Sequence, residues 1–423
     1  MSAQTGISTA RAPGQTGITA ADPVIECVLV VDDSKVQRKI LSALLKRWGY
    51  RVIEASSGGD ALTLCAQHRV DLILSDWMMP GMTGLDFCRA FRALQRDHYG
   101  YFILLTSKSE KGEVAEGLDV GADDFLSKPV NSGELRARIA AGARILAMQR
   151  ELKLKNSLID RDLIEARKFQ QSLIRERVRN FERATVSLLL RPSGHVGGDL
   201  VGVFPINKRR IGVFALDVSG HGITSALMTA RLAGFLSASS PTQNVALRKC
   251  EDGSYTGRPP AKVAARLNDL TLQEMDTENY FTLIYADIDL VNGRVEMVQA
   301  GHPSPAIMRA DGTVEFVGEG GMPVGLLPSA EFESYEFQLE PGDRMLMYSD
   351  GVTECPTGDT EMLEEEGLVG ILERNRAIGG TALLEAIVWD LAEQSSEAEF
   401  SDDVSAALLE FHGALGLVKG KGD

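Results

Sequence analysis

Short apolar runs at 28–31, 72–74 and 102–105, with a briefer one at 124–126, have the length of buried strands. Between them apolar residues recur at helical spacing. Val36, Ile40, Leu41, Leu44 and Leu45 predict a helix over 36–48, and stretches 58–68 and 84–94 follow the same rule. Strand-like and helix-like stretches alternate from about 26 to 130. That alternation predicts an α/β fold with a doubly wound parallel sheet.

The pattern then changes twice. From Asn131 to about Phe181 no proline interrupts the chain, and Asn131 with Glu134 forms a candidate capping box. Ile145, Met148, Leu152, Ile159, Leu163, Ala166, Phe169 and Leu173 recur three, four or seven apart, a coiled-coil-like stripe broken by Lys155 and Asp162. Some fifty helical residues would extend roughly 75 Å. Such a helix either packs on its own domains or pairs with a second copy as a dimerising signalling helix. After Ala184 strand-like runs appear at 186–190, 211–216, 281–288, 295–298 and 345–348, with helical stretches at 224–236, 262–275 and 382–393. Clustered strands with helices between them predict α+β layers. The polar stretch 241–260, with Gly and Pro, reads as a mobile loop.

A length of 423 residues allows two or three domains. The net charge of −15 argues against nucleic acid as a partner, because phosphate backbones select basic surfaces. No apolar run approaches the roughly 18 residues a membrane span requires. The first twenty or so residues are mostly small and polar with no apolar h-region, so they read as a disordered leader rather than a signal peptide. Five cysteines without CxxC spacing indicate free thiols in a reducing cytoplasm.

Candidate chemistry sits at the predicted strand ends. Asp32-Asp33, Asp76, Thr106 and Lys128-Pro129 each follow an apolar run. In a parallel sheet those ends share one edge, so three acids, a hydroxyl and an amine converge there. The acids suit a hard cation such as Mg²⁺, Lys128 supplies fixed positive charge, and Thr106 a donor for a phosphoryl oxygen. This ordered set resembles the receiver domain of two-component response regulators over about 27–146, and so implies a flavodoxin-like sheet. The resemblance implies that Asp76 is the phosphoacceptor, that Asp32 and Asp33 hold Mg²⁺ with Asp76 and the Met78 carbonyl, and that Thr106 and Phe125 form the switch pair. It also implies a histidine kinase or phosphotransfer protein as partner.

A second set of acids lies in the C-terminal part. Gly197-Gly198-Asp199 follows a turn, Asp217-Val218-Ser219-Gly220-His221-Gly222 ends one strand, Tyr348-Ser349-Asp350-Gly351 ends another, and Ser401-Asp402-Asp403 precedes the last apolar run. Aspartates beside glycines suit a cluster of oxygen-liking cations, Mn²⁺ or Mg²⁺, which would acidify a bridging water and clamp a phosphoryl group. His221 is a candidate proton donor or a supporting group, and His302, in a Gly/Pro turn, reads as structural. The set resembles the metal-dependent PPM-type serine/threonine phosphatases, in particular their SpoIIE-type branch, over about 184–412 and a lead-in helix at 166–174. The resemblance implies two Mn²⁺ or Mg²⁺ ions in a layered β-sandwich with flanking helices. Asp217 would bridge both, with the Val218 carbonyl serving one. Asp350 and Asp402 would hold the other, and Asp199 would sit near the second. Leu200-Val201-Gly202 departs from the branch, which carries aromatics and an acid there, and Ser405 stands in place of threonine.

The expected organisation is a leader (1–25), a receiver (26–133), a helical linker (134–183), a phosphatase domain (184–412) and a flexible tail (413–423). The expected function is a cytoplasmic response regulator, dimeric through its linker. Phosphorylation of Asp76 would control a phosphatase acting on phosphoserine or phosphothreonine of a protein. By resemblance that protein is a STAS-class anti-sigma-factor antagonist in stress or partner-switching control. The alternatives are a catalytically weak scaffold, motivated by the residues after Asp199, and a DNA-binding output, which the acidity opposes.

Overall fold

The computed structural model describes residues 24–94, 96–107, 119–174, 176–220, 222–274, 279–358, 361–395 and 400–413. His221, most of the leader and residues 414–423 of the tail lie outside these. The chain forms two compact units, Met1–Ile159 and Asp160–Asp423.

In the first unit β1 (Cys27–Val31), β2 (Arg51–Ala55), β3 (Leu72–Asp76), β4 (Tyr101–Thr106) and β5 (Asp124–Ser127) form a parallel sheet in the order β2-β1-β3-β4-β5. β1, β3 and β4 are buried along their whole length, which is why they read as unbroken apolar runs. β2 lies at the edge with Arg51 exposed, and its mixed Arg-Val-Ile-Glu-Ala sequence carries no such run. Helices α1 (Lys35–Arg47), α2 (Gly58–Gln67) and α3 (Gly84–Ala93) are capped by Ser34, Ser57 and Thr83. At α3 the cap is reciprocal, because Thr83 accepts from the Asp86 amide while the Asp86 carboxylate accepts from the Thr83 amide. Ile25, expected in the leader, is buried in the core beside Val28 and Leu72, so the domain begins earlier than expected.

Helix α4 runs from Ser132 to Leu173, capped by Asn131 Oδ1, which accepts from the amides of Gly133 and Glu134. Its first turns bury Leu135, Ile139 and Leu146 in the first unit's core. Arg150 Nη2 donates to buried Asp71 Oδ1 at 2.7 Å, so the helix stays tied to that unit beyond residue 133. Residues 151–160 are all exposed, including Leu152 and Ile159 of the apolar stripe. The helix stops at Leu173, short of the expected 181. Residues 178–181 instead form an edge strand, β6 (Val178–Phe181), paired with β7 (Ala184–Arg191). Alternating exposed and half-buried side chains over 178–181 fit a strand with one wet face.

The second unit is a sandwich of two antiparallel sheets. One has the order β16 (Ser334–Gln338), β13 (Arg294–Ala300), β12 (Phe281–Asp289), β9 (Arg210–Val218), β8 (Leu200–Pro205). The other has the order β15 (Val314–Phe316), β14 (Ala306–Met308), β17 (Arg344–Tyr348), β20 (Val404–Phe411), β7, β6. Their inner faces meet in a core of Val186, Val213, Ile284, Met345 and Leu409. Helices α5 (Ile223–Phe235) and α6 (Pro260–Glu274) cover the first sheet through Met228, Leu232 and Leu267. Helices α8 (Glu364–Arg374) and α9 (Gly380–Gln394), with the single turn α7 (Asp350–Thr353), cover the second through Leu368, Leu383 and Ile387. Each fully buried leucine in these layers contributes about 1.5–3 kcal/mol. The stretch expected as a loop over 241–260 contains a hairpin, β10 (Leu247–Lys249) with β11 (Tyr255–Gly257). Leu247 is buried there, but its neighbours Arg248 and Lys249 hide the strand signal. A two-residue ladder, β18 (Pro356–Thr357) with β19 (Glu361–Met362), follows α7.

Candidate functional sites

The parallel register brings the receiver acids together. Val31 pairs with Ser75, so Asp32-Asp33 and Asp76 leave neighbouring strands at the same edge. Carboxylate oxygens of Asp32, Asp33 and Asp76 lie within 4.8 Å of one another, Asp32 buried and Asp33 exposed. Lys128 Nζ lies 2.8 Å from Asp76 Oδ2 and 3.0 Å from Asp32 Oδ2. One lysine against three carboxylates leaves negative charge over, and oxygen donors at this spacing fit a small hard cation. Burial raises the Asp76 pKa above its ordinary value, and Lys128 pulls the other way. Thr106, buried at the end of β4, accepts the Lys128 amide on its carbonyl at 2.7 Å. The Met78 side chain is exposed, while Met79 packs inward. Gly84 approaches Asp76 so closely that a Cβ there would lie 2.1 Å from the Asp76 carbonyl oxygen.

The C-terminal acids also leave neighbouring strands. Leu200 pairs with Leu216, placing Asp199 and Asp217 side by side, and Tyr348 pairs with Ala406, placing Asp350 near Asp402 and Asp403. Asp199 is 1% exposed, and neither of its carboxylate oxygens has a hydrogen-bond partner among the described residues. The hydroxyls of Ser405 and Ser349 lie near enough to favour its charge a little, but no cation offsets the burial of this carboxylate, which is costly, so the site suits something positive. Burial, then Asp217 and Asp403, hold the Asp199 pKa well above the usual range. Burial and the charge of Asp350, then Asp402, push Asp217 up to about 7. Burial and Asp402 raise Asp350. No lysine or arginine pairs with Asp199, Asp217, Asp350 or Asp402 among the described residues. The donor set is all oxygen and fits divalent cations. These acids are more widely spread than the receiver triad, the only group of three brought within 4.8 Å among the described residues. Asp217, Val218 and Asp402 line a cleft with Ser193, His195 and Ser401.

Residues not anticipated from the sequence hold this cluster in place. Asp403 is not aimed at the cleft. Its Oδ1 accepts from the Ser193 amide at 2.8 Å and its Oδ2 from the Gly198 amide at 2.7 Å, tying down the loop that presents Asp199. Gln170 on α4, 3% exposed, grips the same loop from the other side. Its Nε2 donates to the Gly197 carbonyl at 2.6 Å and its Oε1 accepts from the Gly197 amide at 3.1 Å. Thr229 on α5 donates to the Gly198 carbonyl at 2.6 Å. Both glycines are required by contact. A Cβ on Gly197 would lie 1.7 Å from Asp403 Oδ2, and one on Gly198 would lie 2.6 Å from the Val218 carbonyl oxygen. The adjacent acids at 402 and 403 were a visible signal, but Gln170 carried none.

Other expected residues take supporting places. Leu200 and Val201 are buried in the two cores on either face of β8, so this departure from the branch is an internal packing change. Ser405 is buried, with its amide donating to Ser349 Oγ at 2.9 Å. His302 is buried, with Nδ1 2.8 Å from Thr282 Oγ1, and burial drives its pKa down to about 3. It is therefore a neutral group inside the fold.

Comparison with known proteins follows this division. The response regulator receiver domain profile matches residues 28–140, and that of stage II sporulation protein E (SpoIIE) matches residues 207–412. Phosphoserine phosphatase RsbP of Bacillus subtilis is 29% identical over 251 residues, 59% of this chain and 58% of RsbP. DNA-binding response regulator MtrA of Mycolicibacterium smegmatis is 38% identical over 123 residues, 29% of this chain and 53% of MtrA. The chain thus spans little more than half the length of these relatives. The SiaA-PP2C domain of Pseudomonas aeruginosa has the same fold, with a TM-score of 0.50 at 18% identity over 61% of this chain and 98% of that domain. No described helix is long and apolar enough to cross a membrane. The chain therefore carries a response regulator receiver domain over residues 28–140 and a SpoIIE-type phosphatase domain over residues 207–412.

Proposed function

We propose that this chain is a response regulator whose output is a metal-dependent phosphatase acting on phosphoserine or phosphothreonine of a protein. The buried carboxylate of Asp199, near Asp217 and without a basic partner among the described residues, together with Asp350 and Asp402, carries this reading. Asp217 would bridge two Mn²⁺ or Mg²⁺ ions, with the Val218 carbonyl on one, Asp350 and Asp402 on the other, and Asp199 near the second. When bound, such ions supply an acidified water and charge for the phosphoryl oxygens. The chain's own residues hold that arrangement. Asp403, Gln170 and Thr229 fix the Asp199 loop, and the glycines let the backbone approach the carboxylates. The relative RsbP, described as a phosphoserine phosphatase, supports the substrate class.

In the receiver, Asp76 would take a phosphoryl group from a histidine kinase or phosphotransfer protein, with Mg²⁺ on Asp32, Asp33, Asp76 and the Met78 carbonyl. Lys128 would meet the phosphoryl charge, and Thr106 would move toward it. Helix α4 would pass the change on, because Gln170, near its C-terminal end, grips the loop of Asp199. The exposed stripe through Met148, Leu152 and Ile159 supports pairing of two copies through this helix. The substrate we favour is a phosphorylated STAS-class anti-sigma-factor antagonist in the cytoplasm. The test is phosphate release from such a protein, with and without acetyl phosphate. Release that changes with acetyl phosphate in the wild type but not in Asp76→Asn supports both halves. No release by either, with Mn²⁺ present, refutes the phosphatase reading.

A further inference from the structure

A second cavity lies at the C-terminal end of α5, the end away from the acid cleft. Its lining includes Arg231 on α5, Arg258 just after β11 and Arg266 on α6. Three arginines thus line one cavity in a chain whose net charge is −15. Among the described residues, neither the Arg258 nor the Arg266 side chain has an ion-pair or hydrogen-bond partner. A guanidinium does not lose its proton at ordinary pH, so each keeps a positive charge that solvent or an anion meets. Phe235 and Leu247 add apolar surface to the lining, and Gln243 is also part of it. The Arg231 guanidinium stands 5.9 Å from the Phe235 ring centroid, so a flat cation already packs against a flat apolar surface there.

From this geometry we propose that the cavity binds a small phosphate-bearing ligand with a planar or apolar body, of the nucleotide class. Arginine forks match phosphate oxygens in pairs, and guanidinium planes stack on rings. The cavity volume of about 420 Å³ lies within the range of roughly 300–1,000 Å³ typical of small-molecule sites. An extended acidic peptide would use the charge but not the ring face of Phe235. The inference does not depend on the phosphatase reading.

The test is calorimetric titration of the full chain with ADP, pyrophosphate, adenosine and a glutamate-rich peptide. ADP should bind more tightly than pyrophosphate, and far more tightly than adenosine. Arg258→Ala and Arg266→Ala should each weaken ADP at least tenfold while circular dichroism and melting temperature stay unchanged, because both side chains are exposed. ADP binding equally well to these folded variants would place the ligand elsewhere and overturn the assignment. Adenosine matching ADP, or no ADP binding at all, would do the same. Tighter binding of the peptide would make the cavity a protein-docking surface instead.

Discussion

Gln170→Ala tests how helix α4 reaches the loop of Asp199. The substitution removes two hydrogen bonds, one at 2.6 Å to the Gly197 carbonyl and one at 3.1 Å from its amide, from a side chain that is 3% exposed. Both backbone groups lose their partner in a place water barely reaches. Each such loss costs about 1–3 kcal/mol, and partial relaxation brings the pair to about 2–4 kcal/mol. The cost falls on the loop conformation, because Asp403 and Thr229 still hold Gly198 and the sheets are untouched. If cations need that conformation to meet Asp199, about 2 kcal/mol corresponds to roughly a thirtyfold weaker apparent metal affinity. The assay is p-nitrophenyl phosphate hydrolysis as a function of Mn²⁺, alongside thermal melting. Half-saturation should move to higher Mn²⁺ by at least tenfold, with most of the maximal rate recovered at saturation. Gln170→Glu should be worse, since a carboxylate cannot donate to the Gly197 carbonyl and adds charge near the acid cluster. A folded Gln170→Ala protein with unchanged Mn²⁺ dependence would refute the coupling.

Three further outcomes follow from the same structure. Gly198→Ala puts a methyl group 2.6 Å from the Val218 carbonyl oxygen, an overpacking of about 1–3 kcal/mol, and should reduce p-nitrophenyl phosphate turnover more than tenfold in a protein that still folds. In metal-free protein the folded-state pKa of Asp217 is raised to about 7, and those of Asp199 and Asp350 are raised too. A carboxyl raised above its unfolded value favours the fold while protonated and loses that contribution as pH rises through the folded value. Melting temperature in chelator should therefore fall between about pH 5 and pH 8, and Mn²⁺ should flatten the fall; a flat metal-free profile would contradict the burial of these acids. The proposed pairing through α4 requires that Leu152→Glu with Ile159→Glu, at two exposed helix positions, lower the mass found by analytical ultracentrifugation from two copies to one, with the melting temperature nearly unchanged.

The sequence by itself determined the architecture and the chemistry at strand ends. Buried parallel strands must be apolar throughout, so β1, β3 and β4 stood out, and functional side chains follow such runs because that edge of the sheet is open. Asp32, Asp33 and Asp76 stood out for that reason, whereas Asp199, Asp217, Asp350 and Asp402 sit in glycine- and serine-rich turns beside antiparallel strands, Asp199 and Asp402 before a strand and Asp217 and Asp350 at or after a strand's end. Local patterning failed where an element owes its existence to a neighbour. The segment Val178–Phe181 is a strand because β7 offers it an edge, although the helical pattern of α4 ran up to it. Arg51–Ala55 and the hairpin at Leu247–Lys249 carry charges because one side faces water. Only the tertiary structure decided which of two adjacent acids faces the cleft and which, Asp403, accepts backbone amides 204–210 residues away in sequence. It also decided that Gln170 grips Gly197. A hydrogen bond between residues from different elements leaves no periodicity in the chain, because it is set by the distance between surfaces that exist only after the sheets and helices have packed.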